Sequence, residues 1–393
     1  MSMTISTVFP RAEWLPAKEV LMHTPGEEIF FGGIHCAAGL FERYFDIDDA
    51  SQEHRHYLDI LSGHGIRIHT VEGILNEVDI ESLRSLAGTV LAYDNTGNPG
   101  ADLAESESYR QDTLSKLSRA DLIRCILFRP NVRLFHTSDN TGFDAEYVLR
   151  PLANLYFTRD QSITTPCGHV ICNMNSPQRK GETAVIELCY SYLGRTPVLH
   201  IEGDGRLEGG DYYPAGDVSF IGCGMRTNWE GIRQMMDADV LGHDTVVVVK
   251  DHKFWQMQMH LDTYFNIIDN DLCTLAGSRL NARPGDPEFT TCDVWKRSPG
   301  MKEYSLEEKD IPFPECLRRM GMEIIGIDIQ DEMHYANNYL TVSPREIVAV
   351  AGQSDEFKRR LVRAGVKVEN VLLENLIRGY GAAHCMTQVL SRL

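Results

Sequence analysis

The C-terminal segment 379–393 contains the residue type best suited to covalent chemistry. It reads GYGAAHCMTQVLSRL, and Cys385 lies near its centre, directly after His384. Gly379 and Gly381 belong to a turn with few side chains, in which backbone can approach a ligand closely. A thiol on such a turn can act as a nucleophile once it loses its proton. The competing interpretation is an inert core cysteine, because cysteine is among the most buried residue types.

Three further polar clusters lie where short strands are expected to end. They are 154–160 (NLYFTRD), 208–211 (EGGD) and 260–263 (HLDT). Each cluster has an ordinary interpretation on its own. Asp160 fits a surface ion pair with Arg159, the glycine-containing acidic segment fits a turn, and His260 fits a hydrogen-bonded core histidine.

The four clusters together contain the groups needed to attack a cationic carbon. A histidine can protonate a leaving group and later take a proton from water. Several carboxylates around one pocket repel one another unless a cation lies among them. A planar guanidinium is such a cation, and it offers paired N–H donors to carboxylates. The clusters therefore predict attack by a cysteine sulfur on the carbon of a guanidinium.

A repeated pattern of an amphipathic helix, a glycine and a short β-rich run could position these clusters. It recurs around Gly65, Gly194, Gly242, Gly321 and Gly365. The glycine suits a left-handed helix cap, and the β-branched residues that follow suit a buried strand. Further short strands are predicted at 19–23, 170–174, 218–223, 272–276 and 346–351. The pattern fits both repeated α/β modules that close into a propeller and an ordinary open α/β sheet.

The stretch 73–149 interrupts this pattern and predicts a helical insertion that acts as a lid or as a stabilising appendage. Helical spacing covers 79–91 and 106–117, Ser118 is a candidate N-cap for a further helix, and polar turns lie at 95–100 and 138–144. The remaining residues, 1–72 and 150–393, are predicted to form one catalytic α/β domain.

Composition limits the classes of partner. The chain has 393 residues, 43% hydrophobic and 24% charged, and a formal net charge of -18. Such a charge argues against nucleic acid and anionic membranes and tolerates a cationic small molecule. Neither a signal-peptide core nor a membrane-spanning run is apparent, which predicts a cytoplasmic protein. The ten cysteines are scattered, so we expect them to be reduced.

Cofactor motifs are not apparent in the sequence. Cys167 and Cys172 with His169 between them match no common zinc spacing, so no metal is predicted there. Neither a phosphate-binding loop nor a dinucleotide fingerprint is apparent, so no nucleotide cofactor is predicted.

The motifs ANLYFTRD, LEGGD, GMRTN, HLDT and GxGxxHCMT, in that order, resemble the arginine deiminase family of guanidine-modifying enzymes. The resemblance covers nearly the whole chain, including the insertion. It implies a five-bladed α/β propeller, the pentein fold, with a helical insertion. The resemblance therefore favours the closed propeller over the open α/β sheet, two arrangements that the glycine pattern fits equally well.

The resemblance also implies a role for each matching residue. Cys385 corresponds to the nucleophile, His260 to the general acid and base, and Glu208 to the carboxylate beside His260. Asp160 and Asp262 correspond to the pair that binds the guanidinium. The residues that correspond to those binding the amino-acid end of the substrate are Asn154, Arg179 and Arg226, and Phe157 corresponds to a residue that packs beside its aliphatic stem. The implied reaction converts L-arginine to L-citrulline and ammonia through a covalent thiouronium intermediate. Arg179 with Arg226 favours a free α-carboxylate over a bare amine such as agmatine.

The last segment departs from the family pattern at two places. Tyr380 stands where the family often has an arginine, and Gln388-Val389 follows CMT where a small or apolar residue and a proline are usual. These departures leave two alternatives: a citrulline ureidase or a hydrolase of another guanidino or ureido amino acid, and a non-catalytic binding protein of the same fold. The sequence allows a homo-oligomer and does not determine the oligomeric state.

Overall fold

The computed structural model describes residues 9–95, 103–139, 141–298 and 300–393. Residues 1–8, most of the predicted turn 95–100 and position 140 of the predicted turn 138–144 lie outside the described residues. The strands are β1 (Ala17–Met22), β2 (Arg67–Thr70), β3 (Ala92–Asp94), β4 (Asn131–His136), β5 (Phe143–Val148), β6 (Ser162–Thr165), β7 (Gly168–Ile171), β8 (Leu199–His200), β9 (Tyr212–Ala215), β10 (Val218–Cys223), β11 (Thr245–Lys250), β12 (Phe265–Asp269), β13 (Leu272–Ala276), β14 (Thr291–Arg297), β15 (Tyr304–Pro312), β16 (Glu323–Ile327), β17 (Leu340–Ser343), β18 (Glu346–Val350), β19 (Lys367–Val371) and β20 (Gln388–Arg392).

Most helices lie between these strands. They are α1 (Glu28–Ile34), α2 (Cys36–Gly39), α3 (Ile47–Gly63), α4 (Val71–Glu77), α5 (Ile80–Val90), α6 (Leu103–Lys116), α7 (Arg119–Phe128), α8 (Glu182–Tyr192), α9 (Trp229–Asp237), α10 (Gly277–Leu280), α11 (Phe313–Arg319), α12 (Ile329–Glu332) and α13 (Asp355–Arg363). Within the described ranges, no helix combines the length and apolar character needed to cross a bilayer.

Five sheets repeat one pattern, in which an antiparallel pair of strands is followed by a parallel third strand. They are β6-β7-β8, β9-β10-β11, β12-β13-β16, β17-β18-β19 and β20-β1-β2. The β14–β15 hairpin extends the second of these sheets. In the last of them, Val20 pairs with Val389, so strands from the two ends of the chain share one sheet.

The glycine pattern correctly predicts four of the five helix ends. Gly65, Gly194, Gly321 and Gly365 all have φ between 68° and 83° just after α3, α8, α11 and α13. The prediction for Gly242 is wrong, because α9 ends at Asp237 and Asp239, with φ 57°, takes the left-handed conformation there. Aspartate tolerates this conformation better than most residues, since its short polar side chain can bond locally. All five additional strands are present, two of them with the predicted bounds.

The segment between β2 and β6 contains the predicted helices and also a sheet that the sequence pattern did not reveal. Ser118 caps α7 as expected, accepting a hydrogen bond from the backbone N–H of Asp121 at 3.3 Å. The additional sheet pairs β3 with β4 in parallel and β4 with β5 antiparallel. Both β4 and β5 are largely exposed, so they lack the alternation of buried and exposed residues that identifies a strand.

Apolar packing joins this segment to the first of the repeated sheets. Leu83 on α5 and Leu122 on α7 share a buried cluster with Ile186 on α8 and with Ile171 on β7. The fixed position of α8 matters for the site described below, because the residues just ahead of this helix lie in the cavity.

Close packing around Gly379 makes this glycine a test of the C-terminal turn. A Cβ at Gly379 would lie 1.8 Å from the Tyr156 hydroxyl oxygen and 3.0 Å from the Phe157 ring. We expect Gly379→Ala to lower the free energy of unfolding by about 1–3 kcal/mol, because such a clash requires a shift of backbone or ring. Urea unfolding measures the change.

The matched control is Gly63→Ala, at the last residue of α3. A Cβ at Gly63 would meet no atom within 4 Å. We expect this variant to be as stable as the wild type or about 0.5–1 kcal/mol more stable, since alanine favours helix. Equal losses in the two variants would contradict the assignment of the Gly379 effect to packing.

Candidate active site

The four polar clusters occupy equivalent places in four of the repeated sheets. Residues 154–160 precede β6, 208–211 precede β9, 260–263 precede β12, and 382–385 precede β20. The expectation that the clusters lie where strands end is therefore corrected: each lies just before the first strand of its sheet. Because of this repeat, residues that are distant in sequence lie close together in the structure.

One cavity brings most of the predicted site residues together. It is lined by Asn154, Phe157, Asp160, Arg179, Arg226, His260 and Cys385, together with residues that include Gln256 and Tyr380. Glu208 and Asp262 do not line the cavity, but they contact residues that do, since Glu208 bonds His260 and Asp262 bonds Cys385. Both carboxylates are fully buried. Glu208 therefore contacts the imidazole, and Asp262 the thiol, from outside the lining of the cavity.

The Cys385 thiol is buried between a carboxylate and an amide. Its Sγ lies 3.3 Å from Asp262 Oδ2 and accepts a hydrogen bond from Asn338 Nδ2 at 3.0 Å. Burial raises the pKa of the Cys385 thiol well above its usual value, and the charges of Asp262 and Asp160 raise it further, while the hydrogen bond from Asn338 opposes this. At neutral pH Cys385 is therefore a thiol rather than a thiolate.

His260 is held as an imidazolium by the carboxylates around it. Its Nε2 donates to Glu208 Oε2 at 2.8 Å, and its Nδ1 lies 3.7 Å from Asp160 Oδ1. Burial alone would lower the pKa of His260, but Asp160, Glu208 and Asp211 together raise it to about 9. Burial opposes ionisation of Glu208 as well, yet His260 and the nearby arginines lower its pKa to about 2. A proton donor is thus available at neutral pH in the cavity that Cys385 also lines.

Each of the two aspartates has one engaged oxygen and one free oxygen. Asp160 Oδ2 accepts from Arg179 Nη1 at 2.7 Å, and Asp262 Oδ2 accepts from His384 Nδ1 at 2.8 Å. Within the described part of the chain, Oδ1 of Asp160 and Oδ1 of Asp262 are buried without any hydrogen-bond partner. A buried carboxylate oxygen without a donor is costly, so this pair is suited to a ligand that brings N–H groups and positive charge.

The two arginines predicted to hold the substrate's amino-acid end differ in their engagement. Arg179 bonds both Asp160 and Glu182, the latter through Nε and Nη2. Arg226 bonds the Ser176 hydroxyl and, at 3.1 Å, Gln256 Oε1, while its Nε has no partner among the described residues. In this structure Arg226 is therefore the more available of the two.

The remaining predicted binding residues border the same space. Asn154 donates from Nδ2 to the carbonyl of Gly39 at 2.9 Å, and its own carbonyl accepts from Arg179 Nη2 at 3.3 Å. The Phe157 ring packs on the Tyr156 ring at 4.0 Å between centroids. Phe157 thus forms an apolar wall, as expected for a residue beside an aliphatic stem.

A metal ion could also be considered at this site. Asp160, Glu208 and His260 place ligand atoms within 4.8 Å of one another. The pKa of His260 is raised to about 9 there, so its imidazole carries a proton at neutral pH and is a poor ligand in that state. Arg179 and the protonated His260 supply part of the positive charge that these carboxylates require.

The two departures from the family pattern, at Tyr380 and at Gln388, lie in different parts of the structure. Tyr380 lines the cavity in a left-handed conformation with φ 68°, so it stands at the site itself. Arg378 does not take the place of the missing arginine, because its Nη1 donates to a backbone carbonyl at 3.3 Å and it does not line the cavity. Gln388 lies on β20 and donates to the hydroxyls of Thr164 and Tyr190, both at 3.2 Å, outside the cavity.

The sequence analysis missed Glu182, which anchors Arg179, and Asn338, which contacts the nucleophile. Glu182 is fully buried and carries no motif, so no sequence signal pointed to it. Asn338 had a signal that was not used. Asn338 lies just before β17, the first strand of the sheet β17-β18-β19. The four polar clusters lie at the equivalent position, just before the first strands of the other four repeated sheets.

The raised pKa of His260 makes a prediction about stability and pH. Its folded value of about 9 exceeds the usual 6.5, so the stabilisation is complete below pH 6.5, falls as pH rises, and is lost above about 9. We expect it to reach roughly 3 kcal/mol. Urea unfolding of wild type and His260→Gln between pH 7 and 10 should therefore give free energies that converge as pH rises.

His243→Gln is the control for this experiment. Burial lowers the pKa of His243 to about 4, so this histidine is neutral in both states above pH 7. The difference between wild type and His243→Gln should stay constant across the same range. A constant difference for His260→Gln as well would contradict the protonated state of His260.

Comparison with known proteins agrees with this geometry. The family model described as arginine deiminase matches residues 38–392. Arginine deiminases from Halobacterium salinarum and from Lactococcus lactis subsp. lactis are each 28% identical, the first over 97% of this chain and 96% of its own, the second over 95% and 96%.

Solved structures share the mixed α/β fold. A dimethylarginine dimethylaminohydrolase adduct with 4-chloro-2-hydroxymethylpyridine has a TM-score of 0.55 at 18% identity, covering 96% of this chain and 100% of its own. A DDAH mutant from Pseudomonas aeruginosa, complexed with citrulline, has a TM-score of 0.56 at 17% identity with the same coverage. An amidinotransferase from Microseira wollei has a TM-score of 0.55 at 12% identity, covering 98% and 97%. With the match extending over residues 38–392, the chain belongs to the arginine deiminase family, whose members are enzymes that act on guanidino groups.

Proposed function

We propose that this enzyme hydrolyses the guanidino group of L-arginine to give L-citrulline and ammonia. The observation that carries the proposal is the pair of unpartnered buried oxygens, Oδ1 of Asp160 and Oδ1 of Asp262, in a site that also holds the Cys385 thiol and the protonated His260. A guanidinium in the cavity can donate N–H groups to Asp160 Oδ1, and its positive charge balances both carboxylates, including Asp262 next to Cys385. The similarity of this chain to the arginine deiminases from Halobacterium salinarum and Lactococcus lactis supports the same substrate.

The first half of the proposed reaction forms a covalent intermediate. The bound cation lowers the pKa of the Cys385 thiol, which loses its proton as substrate binds, with Asp262 as its nearest acceptor at 3.3 Å. The thiolate attacks the guanidinium carbon, and the C–N bond to one terminal nitrogen breaks. His260 gives its proton to that nitrogen, which leaves as ammonia, and a thiouronium remains on the sulfur.

The second half regenerates the enzyme. His260, now neutral, takes a proton from a water molecule, and the resulting hydroxide attacks the thiouronium carbon. The hydroxyl group of the resulting adduct loses its proton to solvent as the C–S bond breaks and citrulline leaves. The proton that Asp262 accepted in the first half returns to the sulfur, which restores the thiol. Glu208, bonded to His260 Nε2 at 2.8 Å, holds the imidazole in one orientation through both halves. Such positioning commonly removes several kcal/mol from a barrier.

The α-carboxylate of the substrate is assigned to Arg226 and Arg179. Arg226 has a free Nε and lines the cavity. Arg179 Nη1 donates to Asp160 Oδ2 at 2.7 Å, so Arg179 bonds an oxygen that the guanidinium could also use. We propose that substrate displaces it from this oxygen, which frees Arg179 Nη1 to approach the carboxylate.

We further propose that the five repeated sheets are the blades of a five-bladed propeller. The pairing of β20 with β1 supports closure, since it links the end of the chain to its beginning. The catalytic domain would then comprise residues 1–72 and 150–393, with 73–149 as an insertion. We place the enzyme in the cytoplasm and infer a small-molecule substrate, in agreement with the acidic net charge of -18.

Tyr380 favours a second candidate, the hydrolysis of citrulline to ornithine. A neutral side chain at this position leaves the cavity with one positive charge fewer than the family pattern provides. The free aspartate oxygens argue against this candidate, because a ureido group presents one carbonyl oxygen that would meet another acceptor.

Product analysis with purified protein separates these activities. Incubation with arginine should yield citrulline and ammonia in equal amounts, and incubation with citrulline should yield no ornithine. Cys385→Ala should lose at least about 10³-fold in kcat while its unfolding temperature stays near that of the wild type, since the covalent step is removed. Ornithine from citrulline with arginine untouched would reject the proposal, and turnover by Cys385→Ala would reject covalent catalysis.

Arg226→Ala tests the assignment of the carboxylate. We expect kcat/KM for arginine to fall by about 10²-fold, because a charge-assisted contact to the carboxylate is lost, and kcat/KM for agmatine, which has no carboxylate, to change by less than about 3-fold. Steady-state ammonia release measures both substrates. Arg206→Ala is the control, since Arg206 bonds only backbone carbonyls of its own turn and does not line the cavity. Equal losses for the two substrates would contradict the assignment.

A further inference from the structure

Asn338 links three parts of the site through one side chain. Its Oδ1 accepts hydrogen bonds from the backbone N–H groups of Ala382 at 2.9 Å and Cys385 at 3.1 Å. Its Nδ2 donates to the carbonyl of Asp262 at 3.0 Å and to Cys385 Sγ at 3.0 Å. Both donors and both acceptor sites of the amide are therefore in use, and the side chain is completely buried.

The contact with sulfur differs in kind from the other three. Three of the bonds fix the backbone of the nucleophile turn and of the Asp262 turn. The fourth places an N–H donor on the atom that must become negative. An N–H donor stabilises a thiolate more than a thiol, since hydrogen bonds to charged groups are about twice as strong as bonds to neutral ones.

The surroundings of the sulfur make this donor important. Asp262 Oδ2 lies 3.3 Å from Sγ, and burial and nearby carboxylates all act against ionisation. His260 is bonded to Glu208 rather than to the sulfur. Among the described residues, Asn338 is the side chain that donates a hydrogen bond to Cys385 Sγ.

We propose that Asn338 is a catalytic residue that stabilises the Cys385 thiolate and aims its sulfur at the substrate carbon. The use of this thiolate in guanidine hydrolysis rests on the proposed function, whereas its stabilisation by Asn338 does not. The sheet β17-β18-β19 thus contributes a residue to the site from the same position as the other four repeated sheets, just ahead of its first strand.

Two substitutions separate the contact with sulfur from the contacts with backbone. Asn338→Asp keeps an oxygen for the N–H groups of Ala382 and Cys385 but replaces the donor to sulfur with an acceptor. Asn338→Ala removes both. The matched control is Asn337→Ala, which removes a neighbouring amide of the same type that is equally buried and whose side chain has no hydrogen-bond partner among the described residues.

The readout is alkylation of Cys385 by iodoacetamide between pH 6 and 10, measured by mass spectrometry of the peptide that contains this residue. At a pH below the thiol pKa, the rate follows the thiolate fraction. We expect Asn338→Ala and Asn338→Asp to shift the rate–pH curve upward by at least about one pH unit, which slows alkylation about 10-fold at a given pH. Asn337→Ala should follow the wild-type curve.

Kinetics with arginine give a second readout. The pH at which kcat/KM reaches half its maximum on the acidic side should rise by a similar amount in Asn338→Asp. We expect kcat to fall more than KM changes, since the donor acts on the nucleophile rather than on binding. Thermal unfolding identifies which variants are folded.

Every outcome decides the proposal. Slower alkylation in a folded Asn338→Asp supports it, even if arginine is not the substrate; in that case the proposed function alone fails. Alkylation at the wild-type rate in a folded Asn338 variant overturns it. Failure of both Asn338 variants to fold while Asn337→Ala folds also overturns it, because the role of Asn338 would then be structural.

Discussion

The site depends on the balance of charge among buried carboxylates. Asp160, Glu208 and Asp262 are almost completely buried around one cavity, where unneutralised negative charge is costly. Arg179 and the protonated His260 neutralise part of this charge, and among the described residues no donor bonds Oδ1 of Asp160 or Oδ1 of Asp262. Under the proposed function, a cationic substrate completes the balance, so that substrate binding and activation of the thiol are consequences of the same electrostatic constraint.

This constraint explains why the resting cysteine is protonated. The pKa of the Cys385 thiol is raised by burial and by nearby aspartates, and the N–H of Asn338 opposes the shift. A thiol that ionises only when a cation lies beside it reacts poorly with other electrophiles, since the thiolate is the reactive form. Under the proposed function, selectivity for the substrate therefore arises from its charge.

The repeated sheets position the side chains that this chemistry needs. Each presents a short segment just before its first strand, and the five segments supply an aspartate, a glutamate, a histidine–aspartate pair, an asparagine and the cysteine. Because strands β1 and β20 pair, the segment nearest the C-terminus is held as firmly as the others. The substitution at Gln388 is compatible with this arrangement, since its side chain bonds hydroxyls on a neighbouring sheet and on α8.

The sequence by itself determined four of the five glycine-marked helix ends and ten of the twenty strands in the described residues, because helix caps and β-branched runs are local signals. Of the nine site residues predicted from the polar motifs and the family resemblance, seven line the cavity. The sequence could not identify Glu182 or Asn338, since a buried glutamate and an asparagine acquire meaning only from what packs against them. It also missed β4 and β5, which are exposed, and the left-handed Asp239, which replaced Gly242 as the end of α9. Only the tertiary structure decided which carboxylate oxygens have no partner among the described residues and that Arg179 bonds Asp160, because both depend on distances between residues that are separated in the chain.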